Sequence, residues 1–154
     1  MRYLNILILV IGFSYTAHSQ FFSGISLSAH YSSLVGGLKP EVSGTKSVTN
    51  KILINLRVKS DFKEMFGISG GLSYRLYNKA IFPTVGIEYS YEKVFQKSPY
   101  PDYHSTNIEF PFQLGVKITP HISIFGGAST FFFISGYRPD NFVNNMRLGM
   151  QYCW

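Results

Sequence analysis

Between Asn107 and Ile118 the chain alternates without a break: Ile108, Phe110, Phe112, Leu114, Val116 and Ile118 interleave with Asn107, Glu109, Pro111, Gln113, Gly115 and Lys117. Successive side chains of an extended strand point to opposite faces, so a period of two commits this segment to a strand with one apolar side and one polar side. A helix would scatter the same six apolar residues around its circumference.

The pattern recurs along the chain. Ile25, Leu27, Ala29 and Tyr31 alternate with Ser26, Ser28 and His30, and Ile52, Ile54, Leu56 and Val58 alternate with Asn55, Arg57 and Lys59 up to the polar turn Ser60-Asp61. Ile68, Leu72, Tyr74 and Leu76 alternate with Ser69, Gly71, Ser73 and Arg75, ending at Asn78-Lys79. Val85, Ile87, Tyr89 and Tyr91 alternate with Thr84, Gly86, Glu88, Ser90 and Glu92, before a Pro- and Tyr-rich loop expected over 98–105. Thr119-Pro120 turns the chain into Ile122 to Ser135, which is apolar on both faces through Phe131-Phe132-Phe133-Ile134 and leaves its facing open. Gly136 to Asn144, with Arg138-Pro139-Asp140-Asn141, reads as a loop. The closing strand puts Met146, Leu148, Met150, Tyr152 and Trp154 on one side and Asn145, Arg147, Gly149 and Gln151 on the other. No window beyond residue 19 sustains a 3.6-residue apolar period, so almost no helix is expected.

Two architectures suit such strands: a soluble sandwich with its apolar face inside, or a membrane barrel with that face outside. The minor face discriminates. A sandwich presents it to bulk water and favours dense Lys and Glu, whereas here it is rich in Gly, Ser, Thr and Asn with a few charges of both signs. Arg57, Lys59, Arg75, Lys117 and Arg147 can pair inside with Glu88, Glu92 and Glu109, where an isolated ion would be costly. The expected fold is all-β: one antiparallel up-and-down transmembrane barrel of about eight strands, with the secreted β-sandwich as the alternative.

Residues 1–19 read as a secretory signal peptide. Arg2 supplies the positive start, Leu4 to Phe13 are apolar except Asn5 and Gly12, and Ala17-His18-Ser19 puts small residues before a cut. The apolar run is too short for a helix to span a bilayer. The remaining domain, residues 20–154, has a formal charge of +5, the whole chain's +6 less Arg2. Its single Cys153 permits no internal disulfide. The basic residues are scattered, without the run that marks a nucleic-acid stripe, so contact with acidic lipid headgroups is the simpler reading and no nucleic-acid partner is expected.

A single-chain bacterial barrel needs an even number of strands, and the segments above make seven. The eighth is placed between Leu34 and Val42, with Ser43-Gly44-Thr45-Lys46 as its turn, although Gly36, Gly37 and Pro40 are poor strand formers. The alternative is an irregular loop over 32–50.

The ending Arg147, Gly149, Met150, Tyr152, Trp154 follows the order polar, any, Gly, apolar, any, aromatic, any, aromatic, and resembles the C-terminal assembly signal of outer-membrane barrels. Gly67 to Tyr91, Asn107-Ile108-Glu109-Phe110-Pro111-Phe112 and Phe125-Gly126-Gly127-Ala128 are similar to stretches of small Gram-negative outer-membrane barrel domains, of the PorT-like or OmpA/OmpX-like eight-stranded type. That resemblance implies an outer-membrane location, insertion by the barrel-assembly machinery and outer-membrane lipids as neighbours. It supplies no catalytic residues.

Eight strands enclose a lumen that side chains fill, which argues against an open general porin. A structural, anchoring or binding role is expected. Tyr100, Asp102, Tyr103, Tyr137, Arg138 and Asp140 are candidate external contacts for a protein or small ligand, the simpler reading being that their aromatics join Tyr89, Tyr91, Tyr152 and Trp154 in an interfacial girdle. The rival is a rim hydrolase resembling lipid A deacylases, in which His121 would activate Ser123; the Asn that follows Ser in that motif is Ile124 here, and no acidic partner stands nearby. His30 and His104 lack Cys or carboxylates at ligand spacing, so neither metal nor cofactor is expected; a lumen imidazole and a loop residue are the simpler readings. Cys153 reads as a small buried apolar group.

Overall fold

The alternating segments become strands that each bond to the next in sequence, and the last bonds to the first. A computed structural model describes residues 22–31, 38–60, 65–77, 79–95, 101–136 and 145–154. The strands are β1 (Gly24–Tyr31), β2 (Leu38–Ser47), β3 (Ile52–Ser60), β4 (Met65–Arg75), β5 (Ile81–Val94), β6 (Tyr103–Lys117), β7 (Ile122–Gly136) and β8 (Asn145–Cys153), with no helix among the described residues. All neighbours run antiparallel, and β8 closes on β1 from Gly24↔Cys153 to Tyr31↔Met146. Closure excludes the sandwich alternative, which would leave two open sheets.

The registers fix the barrel's size. One circuit from Ile52 through Tyr74, Val85, Phe112, Ala128, Met146 and Tyr31 arrives on β2 at Leu38, ten residues from Val48, whose N–H bonds Ile52 across the turn. A stagger of ten over eight strands tilts each by about 40° and leaves a lumen only side chains wide. The apolar residues then face out and the polar ones in: Leu114 is 46% and Leu148 66% exposed, against 1% for Glu109 and 5% for Arg147.

The eighth strand exists, but not with the expected turn. Ser43 to Lys46 lie inside β2, and the chain reverses at 48–51, so the irregular-loop alternative is also set aside. Lys39, Glu41, Ser43 and Thr45 turn inward. Pro40 pairs with Ala29 but lies one residue beyond the β2–β3 ladder, which begins at Glu41↔Lys59, so its missing N–H falls at an end. Pro111 sits mid-strand, and the β5–β6 ladder lapses there between Val85↔Phe112 and Glu88↔Glu109.

Two further boundaries move. β6 begins at Tyr103, so Tyr103, His104 and Ser105 belong to a strand rather than the loop expected over 98–105; His104 stacks on Tyr91. In β7 the facing is settled: Ser123, Phe125, Gly127, Ser129, Phe131 and Phe133 turn inward, while Ile124, Ala128, Thr130 and Phe132 turn outward. A bulge lets Thr106↔Ser135 follow Asn107↔Phe133, skipping Ile134, and Gly136 ends the strand at φ 95°, a conformation glycine adopts without strain.

One rim carries the β2–β3, β4–β5 and β6–β7 connections together with Trp154; the other carries the remaining four, of which 95–102 and 137–144 are the longest. β5, β6 and β7 have 14, 15 and 15 residues against 8 in β1 and 9 in β8, so that side of the wall stands on the order of 10 Å higher at the long-loop rim. Residues 1–19, the expected signal peptide, lie outside the described residues.

If the outward face meets hydrocarbon, Leu148→Arg, halfway up β8, lowers the unfolding free energy in lipid vesicles by about 2–4 kcal/mol, and Ile118→Arg at the rim by no more than about 1 kcal/mol. Denaturant titration checks this, and equal costs at both depths would place the face elsewhere.

Candidate functional site: an ionic plug in the lumen

Inward positions on six strands bring together side chains far apart in sequence: His30 from β1, Lys39 and Glu41 from β2, Arg57 and Lys59 from β3, Glu88 and Glu92 from β5, Glu109 from β6 and Arg147 from β8, all buried. Four carboxylates thus meet four cations. Arg147 is the hub: its Nε lies 3.3 Å from Glu41 Oε2 and its Nη2 donates to Glu109 Oε2 at 3.1 Å. Arg57 Nη1 pairs with Glu88 at 2.7 Å, and Lys59 bridges Glu92 and Glu109, the latter at 3.7 Å. The hydroxyls of Ser28 and Ser129 donate to Glu41 and Glu109, both at 3.1 Å.

His30 is a lumen imidazole, as expected. Arg147 Nε donates to its Nδ1 at 3.3 Å, and Lys59 Nζ lies 3.4 Å from Nε2. Ions removed from water are tolerable only when matched in this way. Glycine makes the room: a Cβ at Gly67 would lie 2.8 Å from two carbons of the Lys59 stem, and one at Gly71 would meet the backbone at Ile87 and Glu88.

Toward the short-turn rim the lumen lining turns mostly to hydroxyls and amides, with Arg75 the charged group beside the rings there. Asn55 links two hydroxyls, accepting from Thr45 at 3.3 Å and donating to Ser73 at 2.6 Å, and Ser26 bonds Ser43. These groups line a cavity of about 40 Å³, room for a few waters. Leu53, Phe82 and Phe125 floor it, and Gly115 leaves space for the Phe82 ring. Ionic side chains fill the lumen on one side of this cavity, and the Phe82 and Phe125 rings line it on the other.

Several expected roles shift. Arg75 stands away from the plug, its guanidinium 4.7 Å from the Phe82 ring centroid, and Lys117 is exposed at the rim. Cys153 is a half-buried free thiol. Lys39 and Glu41 were missed because Pro40, Gly44 and Lys46 dilute the apolar side of β2; the alternation of Lys39, Glu41, Ser43 and Thr45 was the available signal. Of the loop residues, Asp102 pairs with Lys93 at 3.5 Å and Tyr103 opens β6, while Tyr100, Tyr137, Arg138 and Asp140 lie outside the described residues. Ser123 is buried on the lumen side, whereas His121 Nδ1 bonds the Cys153 carbonyl at 2.9 Å and its ring stacks on outward-facing Tyr152. Among the described residues no group of His, Cys, Asp and Glu could hold a metal ion.

No family model matches the chain, and no curated protein sequence does. Solved structures do share its architecture. The N-terminal β-barrel domain of OprF from Pseudomonas aeruginosa is similar with a TM-score of 0.65 and 10% identity, over 88% of this chain and all of that domain (100%). Neisserial surface protein A is similar with a TM-score of 0.52 and 13% identity, over 85% of this chain and 94% of that one. Both are eight-stranded outer-membrane barrels, and the chain has their fold.

Replacing Arg147 with Met keeps the stem but strands Glu41 and Glu109. The variant is expected to lose about 3–5 kcal/mol of stability, read as a lowered denaturant midpoint of the refolded barrel; wild-type stability would mean the hub contributes nothing net.

Proposed function

We propose that this chain is exported through its N-terminal signal and resides in a Gram-negative outer membrane as a plugged barrel that anchors, supports or presents binding loops, and does not conduct solutes. Arg147, Gly149, Met150, Tyr152 and Trp154 would be read by the assembly machinery, Tyr152 and Trp154 then settling at the interface. The short-turn rim is the periplasmic one, and the taller β5–β7 wall raises its loops toward the exterior, where Tyr100, Asp102, Tyr103, Tyr137, Arg138 and Asp140 are the candidate contacts for a protein or small ligand.

The observation that carries this reading is the balanced ionic plug above the ring-lined floor. A solute path would have to break Arg57–Glu88 or the Arg147 pairs and leave ions unmatched in a low-dielectric lumen. The rim-hydrolase alternative is less supported: the His121 nitrogen that is hydrogen-bonded serves a carbonyl, and Ser123 lies inside the wall.

The chain is expected in the outer-membrane fraction with heat-modifiable gel mobility, and in planar bilayers it should show no porin-like steady conductance. Open-channel currents from the wild type would refute the plugged reading. Lipid A acyl release that disappears in Ser123→Ala would establish the hydrolase instead.

A further inference from the structure

Two of the three short turns share one construction. In Val48-Thr49-Asn50-Lys51-Ile52 the N–H groups of Val48 and Thr49 donate to the Ile52 carbonyl at 2.9 and 3.3 Å, and the Thr49 hydroxyl accepts from Lys51 N and Ile52 N at 3.2 and 2.9 Å. In Ile118-Thr119-Pro120-His121-Ile122 the corresponding distances are 2.9 and 3.1 Å, then 3.3 and 3.0 Å. The next bond repeats as well: Arg75 N–H donates to the Lys51 carbonyl and Cys153 N–H to the His121 carbonyl, each at 2.7 Å.

This repeat sets a basic side chain against a tyrosine of the adjoining strand, because Ile52 pairs with Tyr74 and Ile122 with Tyr152. Lys51 Nζ stands 5.8 Å from the Tyr74 ring centroid, and the His121 and Tyr152 rings stack at 6.0 Å. Both tyrosines belong to the outward face, 42% and 51% exposed. A carbonyl only accepts, so His121 Nδ1 is the donor to Cys153 O, and Nε2 is the ring nitrogen left for another partner. The β3/β4 and β7/β8 pairs lie four strands apart in a ring of eight, on opposite sides of one rim. Among the described residues the carboxylate side chains are elsewhere: Glu41, Glu88, Glu92 and Glu109 in the lumen, Asp102 at the other end.

We infer that Lys51–Tyr74 and His121–Tyr152 are two equivalent docking sites for the phosphodiester headgroup of an anionic phospholipid in the periplasmic leaflet; this rests on the outer-membrane reading above. Tyrosine rings sit at headgroup depth, and a basic side chain held beside one is placed to meet the phosphate. The acyl chains then run over Ile52, Ile54 and Leu72 on one side and Ile124 and Met150 on the other, all exposed and outward. A zwitterionic lipid brings its own ammonium to the phosphate, whereas an anionic one leaves that role to the protein.

The test uses the full chain folded into phosphatidylcholine vesicles doped with brominated phosphatidylglycerol or brominated phosphatidylcholine. Trp154 is the sole tryptophan, with its ring 6.3 Å from Tyr152, so its quenching reads the second site; Tyr74→Trp in a Trp154→Phe background reads the first. Each reporter should favour the anionic lipid by about five-fold. Lys51→Gln should abolish the preference at the first reporter and spare Trp154, His121→Ala should do the converse, and His121→Lys should retain it. Heat-modifiable mobility is scored throughout, so a chain that fails to insert counts against the outer-membrane reading and a folded chain without preference counts against the sites. Equal quenching by the two lipids, a preference that survives Lys51→Gln, or its displacement by soluble glycerol phosphate would overturn the proposal.

Discussion

The closed ladder of backbone hydrogen bonds is the constraint on which everything else rests. Hydrocarbon offers no water to an unpaired N–H or C=O, so a sheet that shows it an apolar face must have no open edge. The β1–β8 ladder removes the last one. Closure at eight strands with a ten-residue stagger then fixes the radius, and the radius leaves space for side chains and little besides.

The ions follow from that narrowness. Polar side chains on the inner face meet one another across the lumen because the strands leave nowhere else to go. Arg147 touches carboxylates from β2 and β6, and Lys59 touches those of β5 and β6, so each long cation ties together strands that share no backbone bond. Such a network adds less net stability than its number of pairs suggests, since desolvation offsets much of the attraction. Its effect is to make one arrangement of the lumen much better than its neighbours, with Gly67 and Gly71 leaving the volume that Lys59 and Glu88 fill.

The two rims differ in kind. The short-turn rim is tied down by threonine hydroxyls and bordered by Tyr74, Tyr152 and Trp154, with basic groups and, among the described residues, no acidic side chain. At the other rim the β5–β7 wall rises beyond its neighbours. A barrel whose lumen is filled by side chains has its accessible polar groups at its ends, and here the ends are unlike.

Much of this was legible in the chain alone. Strict alternation in Ile108–Ile118 and Met146–Trp154 declared strands and their outward faces, and the small polar character of the other side declared an enclosed lumen rather than a wet surface. These are properties of one strand at a time, and a two-residue period states them locally. What the sequence left open depended on partners. β2 carries a faint period because Pro40 and Gly44 stand on its outer side, and only its neighbours' ladders hold it extended. The facing of Phe131–Ile134 waited on a bulge opposite Thr106. Glu41 meeting Arg147 required the stagger of the closed barrel, because register brings together residues that no local pattern relates. Where the two-residue period is strict, which way a side chain points was written in the chain; which side chain it meets across the lumen was decided by the register of the closed barrel.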